Sequence, residues 1–453
     1  MEKIIKTFSD YAWGLPLVLL LIGGGLYLLV VSRFLPFRYL GHAIQVLRGK
    51  YDNPDDPGEI SHFKALTTAL SSTIGMGNIA GVAAAISLGG PGAMFWMWVS
   101  AIVGMSTKFF TSSLAVMFRG KDSNGDLQGG PMYFITEGLG KSWKPLAVMF
   151  SVCGLVGALP VVNVNQLTQA INDIVLTPNG VTVGLKSNLI LALVLVIITS
   201  VIILGGLKRI SLAASKLVPA MVILYFALVL FVLISNYEVV PKYFFMIFTD
   251  AFAANNFKGE PFLGGVLGAL ILLGIRRGAF SNEAGIGTAP MAHGATKTNE
   301  PIREGLVAML GPAIDTLIVC TLTALAILVT GVWETTDNNG VSLTASAFSH
   351  AMPIYGKYLL MVCVAIFSIS SLFSYSYYGS KCLSFLIGAD KKHYYNYLYI
   401  LSIVLAVIMP FSAMLNLVDG VFALMAIPTM ISTIILAPKV LKEARNYIQR
   451  IKA

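Results

Sequence analysis

Charge is what this chain has least of. Lys, Arg, Asp and Glu make up 12% of its 453 residues, about half the share in an ordinary soluble domain. A chain so poor in polar surface does not dissolve, which excludes a cytosolic enzyme and a disordered tail alike. Cysteine is scarce too. Cys153, Cys320, Cys363 and Cys382 are scattered through apolar stretches without C-x-x-C spacing, so neither a disulfide framework nor a thiolate metal site follows. The five histidines, His42, His62, His293, His350 and His393, fall in loops or at the boundaries of apolar segments, and no histidine relay crosses the interior. Neither H-E-x-x-H nor G-x-S-x-G occurs, and no nucleophile–base pair is visible. That weakens an intramembrane hydrolase.

What fills the chain is apolar: 56% of residues are hydrophobic and the mean hydropathy is +0.78. Stretches of about 20 apolar residues recur along the whole length, the signal of transmembrane helices. The chain reads as an all-α membrane protein of about eleven spans. They are placed near 11–31, 63–88, 92–118, 145–176, 187–206, 213–235, 245–285 (broken), 302–331, 356–386, 394–411 and 414–437. The first segment is not a cleavable signal, because acidic and aromatic residues precede its apolar core and no small-residue cleavage site follows.

The net charge of +9 does not mark a nucleic-acid surface. Lys and Arg gather between apolar segments, as at Arg33, Arg38, Arg48 and Lys50, at Arg119, Lys121, Lys141 and Lys144, and at Lys208, Arg209 and Lys216. The rest of the pattern is Lys391 and Lys392 and the tail at 438–453. With eleven spans these all fall on one side, which the positive-inside rule makes cytoplasmic. The N-terminus is then outside and the basic tail inside. The longest external loop, 332–355, holds a stretch at 342–352 that reads as a short helix over the mouth.

Irregular chain at membrane depth is tolerated only around a cavity or buried in protein, so helix breakers and polar side chains near span midpoints mark a site. The second span reads Ser71-Ser72-Thr73-Ile74-Gly75-Met76-Gly77-Asn78 at its middle. Unwinding there frees carbonyls before Gly75, which can replace a cation's hydration shell, and amides after it, which attract a carboxylate. Gly77 and Gly81 also fit a small-xxx-small helix contact, and the stretch alone leaves both readings open. The fourth span carries Asn163, Asn165, Gln166, Gln169 and Asn172. Asn165, Gln169 and Asn172 share one helical face, where they line a substrate or bond neighbouring helices. The seventh span has Gly274 near its middle, with Arg276 and Arg277 close behind, so its inner half must reach a polar cavity or the cytoplasmic boundary. A second interrupted helix of this kind points to an inverted-repeat transporter. The ninth span centres on Ser368, Ser370 and Ser371, hydroxyls suited to Na⁺ or to bonding the preceding turn. Lys108, Asp315 and Asp419 are ionisable residues at depth, with Glu283 near a span end.

Two nucleotide motifs are excluded. Residues 75–80 match G-x-G-x-x-A, but no strand precedes them and Trp96 and Trp98 stand where an acid is needed. Gly140-Lys141-Ser142 resembles the end of a phosphate loop, but Ile135 occupies the position of its first glycine. ATP is therefore not the obvious driving force.

Three runs carry a family resemblance: Gly75-Met76-Gly77-Asn78-Ile79-Ala80-Gly81-Val82, then Gly89-Gly90-Pro91-Gly92-Ala93-Met94-Phe95-Trp96-Met97-Trp98, then Arg277-Gly278-Ala279-Phe280-Ser281-Asn282-Glu283-Ala284-Gly285. They resemble the alanine or glycine:cation symporter family, and the resemblance spans about residues 11 to 440. It implies a single transporter domain with a leucine-transporter-like core of five plus five inverted helices, 63–235 and 245–437, and one extra N-terminal helix at 11–31. It also implies import of small neutral amino acids such as alanine and glycine across a prokaryotic plasma membrane, coupled to Na⁺ or H⁺. No organic cofactor, nucleic acid or obligatory protein partner is implied, only substrate, coupling ion and surrounding lipid.

Position by position, the resemblance implies that Ser71 and Ile74 lend carbonyls to Na⁺, completed by Ser370, Ser371 and the Phe367 carbonyl. Thr73, Gly75, Met76, Gly77 and Asn78 form the substrate side of the break, with the Met76 and Gly77 amides meeting the carboxylate. Leu273, Gly274 and Ile275 border the substrate side chain, and Asn165 and Gln169 line it from the fourth span. The rival readings are an amino-acid-permeable channel or exchanger and, from another class, an intramembrane enzyme.

Overall fold

The computed structural model describes residues 2–261, 264–336 and 338–452. Apart from one two-stranded antiparallel hairpin, in which Gly120 pairs with Gln128, the regular structure among them is helical. Apolar runs of this length satisfy every backbone group internally only as helices.

The chain opens with α1 (Glu2–Ala12) and α2 (Leu15–Val31), bent by 44° at their junction. Next come α3 (His62–Thr73) and α4 (Gly77–Gly89), bent by 53° across residues 74–76, and the straight α5 (Gly92–Met117). α6 (Lys141–Asn179) follows, with a break where Pro160 starts a second helical stretch, Val161–Ile171. α7 (Leu185–Ile203) and α8 (Gly206–Ser235) complete the first half. The second half holds α9 (Val240–Ala253), α10 (Gly265–Asn282), the short α11 (Ala289–His293) and α12 (Pro301–Val329). It ends with α13 (Val341–Ala351), α14 (Gly356–Ile387), α15 (His393–Ala406) and α16 (Phe411–Lys452). The short helix expected at 342–352 is thus α13.

Among the described residues, seven helices are long and apolar enough to cross a membrane, or up to nine if each bent pair is one span. Two of the eleven expected spans fall short. α10 is diluted by Arg276 and Arg277, and α15 has only 14 residues. The expected span at 245–285 also divides, because α9 is a separate helix ending at Ala254 in a left-handed turn.

Enclosure differs sharply along the chain. In α5, 89% of the most apolar window is buried, against 22% in α7 and 28% in α8. α7 presents Ile190, Leu193, Ile197 and Val201 outward, and α8 presents Ile223, Phe231 and Ile234. A row of bare aliphatic side chains on a helix flank is a surface for lipid. α5 is the hub. α10 and α12 pack along it, and its Trp98 indole donates to the Thr321 hydroxyl at 2.7 Å. α3 lies against α8 and α14, and α6 against α14 and α16. This arrangement brings the midpoints of α3–α4, α6, α10 and α14 to one place.

At one end of the bundle, Glu304 on α12 is held by two imidazoles. His62 at the start of α3 contacts one carboxylate oxygen through Nδ1, and His293 at the end of α11 contacts the other. Both histidines stand at span boundaries, as the sequence placed them, yet all three side chains are buried.

Candidate functional site

The first helix interruption is local chemistry. Ile74 adopts an extended conformation (φ −74°, ψ 92°), which ends α3. The Gly75 amide then donates to the Asn78 side-chain carbonyl at 2.9 Å, and the Asn78 amide to the Gly75 carbonyl at 3.2 Å. The asparagine caps the new helix start from inside, replacing a bond the broken ladder has lost. Residues 77–81 continue as a wide π-turn before α4 becomes regular. Helix starts leave amides without partners in their own helix, and here the start comprises Met76 and Gly77.

The second interruption lies elsewhere than expected. α10 runs unbroken through Leu273, Gly274 and Ile275 to Asn282. A β-carbon on Gly274 would lie 2.7 Å from the Ala93 carbonyl oxygen. That glycine lets α10 approach α5 and does not break the helix. The chain unwinds only at residues 283–288, where Glu283 (φ 53°), Gly285 (φ 87°) and Gly287 (φ 105°) occupy the left-handed region. Glutamate is costly there. Its carboxylate is fixed by the Tyr375 hydroxyl of α14 and by the Thr288 hydroxyl.

Two hollows meet at the first interruption. The smaller, about 30 Å³, is bounded by Thr73, Gly75, Asn163, Phe280 and Tyr375, room for one or two waters. The larger, about 260 Å³, runs along α4 from Met76 and Gly77 to Leu88. Its far wall carries Gln166 and Gln169, α10 contributes Arg277 and Phe280, and Asn339 and Gly340 close the top. Met76, Gly77, Val162 and Phe280 border both hollows, so they separate the wide cavity from the chamber at the break.

Of the residues expected at the substrate, Gly75, Met76, Gly77, Thr73 and Gln169 border these hollows. Others do not. Asn165 donates to the carbonyls of Ala406 and Met409 at 3.1 and 3.0 Å, capping the end of α15. Asn172 bonds Asn188 on α7 at 3.0 Å. These two amides are helix-to-helix ties, and of the three on that stripe Gln169, bonded by Gln166 at 3.0 Å, is the one that lines the cavity. Asn78 is fully buried and turned away. Its amide donates to the Asp315 carboxylate at 2.7 Å and to the Asp315 carbonyl at 3.1 Å. Leu273 and Ile275 border neither hollow, since Leu273 packs toward Gly89 and Ile275 is buried. Arg277 and Phe280 take that place one turn later. The arginine pair inside an apolar span was the signal for them.

Of the residues expected around Na⁺, Ser71, Phe367, Ser370 and Ser371 lie together. The Ser71 hydroxyl donates to the Ser370 carbonyl at 2.8 Å. Ser370 and Ser371 both donate to the Phe367 carbonyl, at 2.9 and 3.0 Å. Back-bonding of this kind uses each hydroxyl's proton and leaves its oxygen lone pairs. Ser371 faces Gly75 directly, whereas the Ser370 hydroxyl also lies 3.6 Å from the Met221 sulfur.

Beside the break, Asp315 on α12 is fully buried and accepts from Asn78, from Ser281 at 2.8 Å and from Thr316 at 2.7 Å. It therefore fastens the first broken helix to α10. Lys108 of α5 is buried nearby, with its Nζ 3.2 Å from where a β-carbon on Gly311 would sit. Asp419 on α16 pairs with Arg276 at 2.8 Å, and its carbonyl accepts from the Trp13 indole at 2.8 Å. The N-terminal helices are thereby tied to both α10 and α16.

Known proteins resemble this chain along its whole length. A family model described as the sodium:alanine symporter family matches residues 1–453. The sodium/alanine symporter AgcS of Methanococcus maripaludis is 38% identical over 98% of this chain and 97% of its own length. The probable sodium/glutamine symporter GlnT of Bacillus subtilis is 33% identical over 100% of this chain and 92% of its own. Among solved structures, MhsT in complex with L-phenylalanine superposes with a TM-score of 0.61, covering 84% of this chain and 89% of that one. At 14% identity that is a likeness of fold alone.

Proposed function

The chain belongs to the sodium:alanine symporter family, and on that premise we propose that it imports alanine and glycine, each molecule accompanied by Na⁺ moving down its gradient. The observation that carries this reading is the position of the wide cavity. It ends on Met76 and Gly77, the first residues past a helix break, while Ser371 stands against Gly75 on the other side.

Carbonyls at the end of α3 and the Ser371 oxygen suit a small cation. The amides that start the next half-helix suit a carboxylate. Na⁺ at Ser71, Ile74, Phe367, Ser370 and Ser371 would fix the end of α3 and so fix the amides at Met76 and Gly77. Each ligand then strengthens binding of the other by the same factor. The chamber at the break is too small for alanine as it stands, so substrate entry requires Phe280 and Met76 to move. Alternating access follows, with the halves at 63–235 and 245–437 as inverted repeats rocking around the two breaks. The wide cavity faces outward, and the basic tail faces the cytoplasm. Neither an organic cofactor nor a protein partner enters this scheme.

The test is uptake of labelled alanine by proteoliposomes with Na⁺ and H⁺ gradients imposed separately. Accumulation driven by the Na⁺ gradient, with counterflow by unlabelled alanine, is the expected result. Flux that does not saturate with alanine would mean a channel, and accumulation under the H⁺ gradient alone would replace the coupling ion.

A further inference from the structure

Arg277 stands in the wall of the wide cavity, well inside α10, on the same rim as Met76 and Gly77. A guanidinium carries five N–H donors and keeps its charge at any physiological pH. Among the described residues none accepts a hydrogen bond from it or forms an ion pair with it, and its Nε is buried without a partner. Its neighbour shares the buried, unpartnered Nε but has partners for its terminal nitrogens. Arg276 is committed to Asp419, to the Ser9 hydroxyl and to Asp10, and lies over the Trp13 ring. The two arginines are adjacent in sequence, yet one is neutralised and the other is left facing a hollow. Asp419 is the opposing charge nearby, but its bonded oxygen is taken by Arg276, and a charge at membrane depth without a bonded counterpart is expensive and marks a functional position.

We propose that Arg277 is a carboxylate-binding station in the wide cavity, which captures the acid group of an incoming amino acid before it passes Phe280 and Met76. The assignment rests on the transport reading above and adds a residue and a selectivity to it. The ammonium group of the same molecule is repelled by Arg277 and turns toward the opposite wall, where Gln166 and Gln169 offer amide oxygens. The substrate class is therefore an α-amino acid without a cationic side chain. A diamino acid would bring a second positive charge to a wall that already carries one.

The experiment uses the full chain in proteoliposomes with a Na⁺ gradient, and the purified protein for thermal shift. Two fragments of alanine serve as probes: propionate, which keeps the carboxylate, and ethylamine, which keeps the ammonium. Propionate should compete with alanine uptake and raise the melting temperature, and ethylamine should do neither. Arg277→Gln should raise the KM for alanine by about tenfold, the worth of a charge-assisted hydrogen bond, and abolish both effects of propionate. Arg277→Lys should retain part of each. Unchanged alanine KM and unchanged propionate competition in Arg277→Gln would overturn the assignment. If that variant does not fold, absence of any propionate effect on the wild type would do the same. A chloride-for-gluconate exchange that reproduces the propionate shift would assign the site to an inorganic anion instead. Asp337 precedes the Asn339 of the cavity roof by two positions and lies outside the described residues. If Asp337→Asn matches Arg277→Gln in every readout, the guanidinium serves that side chain and the carboxylate station falls. Failure of wild-type alanine uptake would sink the transport reading, while the thermal shift still tests the station by itself.

Discussion

A methyl group placed on Gly75 would lie 2.7 Å from the Ser371 hydroxyl oxygen. The break in one helix and the serine of another are thus in direct contact, with no room for a side chain between them. Gly75→Ala must displace Ser371 or distort the break. We expect Na⁺-driven alanine uptake to be lost while the protein still reaches the membrane, checked by uptake beside surface quantification. Ser371→Ala leaves the space intact and removes one oxygen. It should shift the Na⁺ dependence of uptake more than the apparent alanine affinity at saturating Na⁺.

Gln169 and Asn165 sit one turn apart on α6 and do different work. Gln169→Ala removes a polar group from the cavity wall and should weaken alanine binding, with thermal stability close to wild type. Asn165→Ala strips two carbonyls at the end of α15 of their donor. It should cost stability by about 1–3 kcal/mol and leave the alanine KM unchanged. Binding titration and thermal unfolding of both variants separate the two roles.

Asn78→Ala should be the most damaging single truncation near the break. Its side chain bonds the Gly75 amide and the Asp315 carboxylate at once. Removing it leaves a buried carboxylate one donor short, a loss of about 2 kcal/mol or more. The expected result is a lower melting temperature together with loss of uptake. Full uptake with normal stability would show that the cap is dispensable.

His42 lies outside the spans, on a helix of the first basic loop, with Nε2 2.7 Å from the Tyr447 hydroxyl. Burial, then the charges of Arg303 and Lys50, lower its pKa below the usual 6.5. The folded state thus favours the neutral ring. Its contribution is present above pH 6.5 and is lost as pH falls through the lowered value. The melting temperature should decline on acidification from neutral pH, and His42→Gln should flatten that part of the profile.

Gly274→Ala should act on packing. The added carbon meets the Ala93 backbone, so α10 and α5 must separate, and overpacking of this kind costs about 1–3 kcal/mol. Reduced thermal stability with an unaltered alanine KM is expected in equilibrium measurements.

Sequence alone determined the elements whose causes are local. A scarcity of charge and repeated apolar runs made the chain a multispanning helical protein, and Ile74-Gly75-Met76-Gly77-Asn78 contains both the breaker and the cap of the first interruption. Tertiary contacts decided the rest. Gly274 carries the same low helix propensity as Gly75, but the α5 surface against it keeps the helix intact. The second interruption falls at Glu283, which Tyr375, 92 positions away, holds in place. On α6, three amides share a stripe by periodicity, and only the packing of α7 and α15 against two of them reserves Gln169 for the cavity. A side chain's spacing fixes the face of the helix it occupies. What meets that face is set by helices distant in the chain, and no local pattern encodes it.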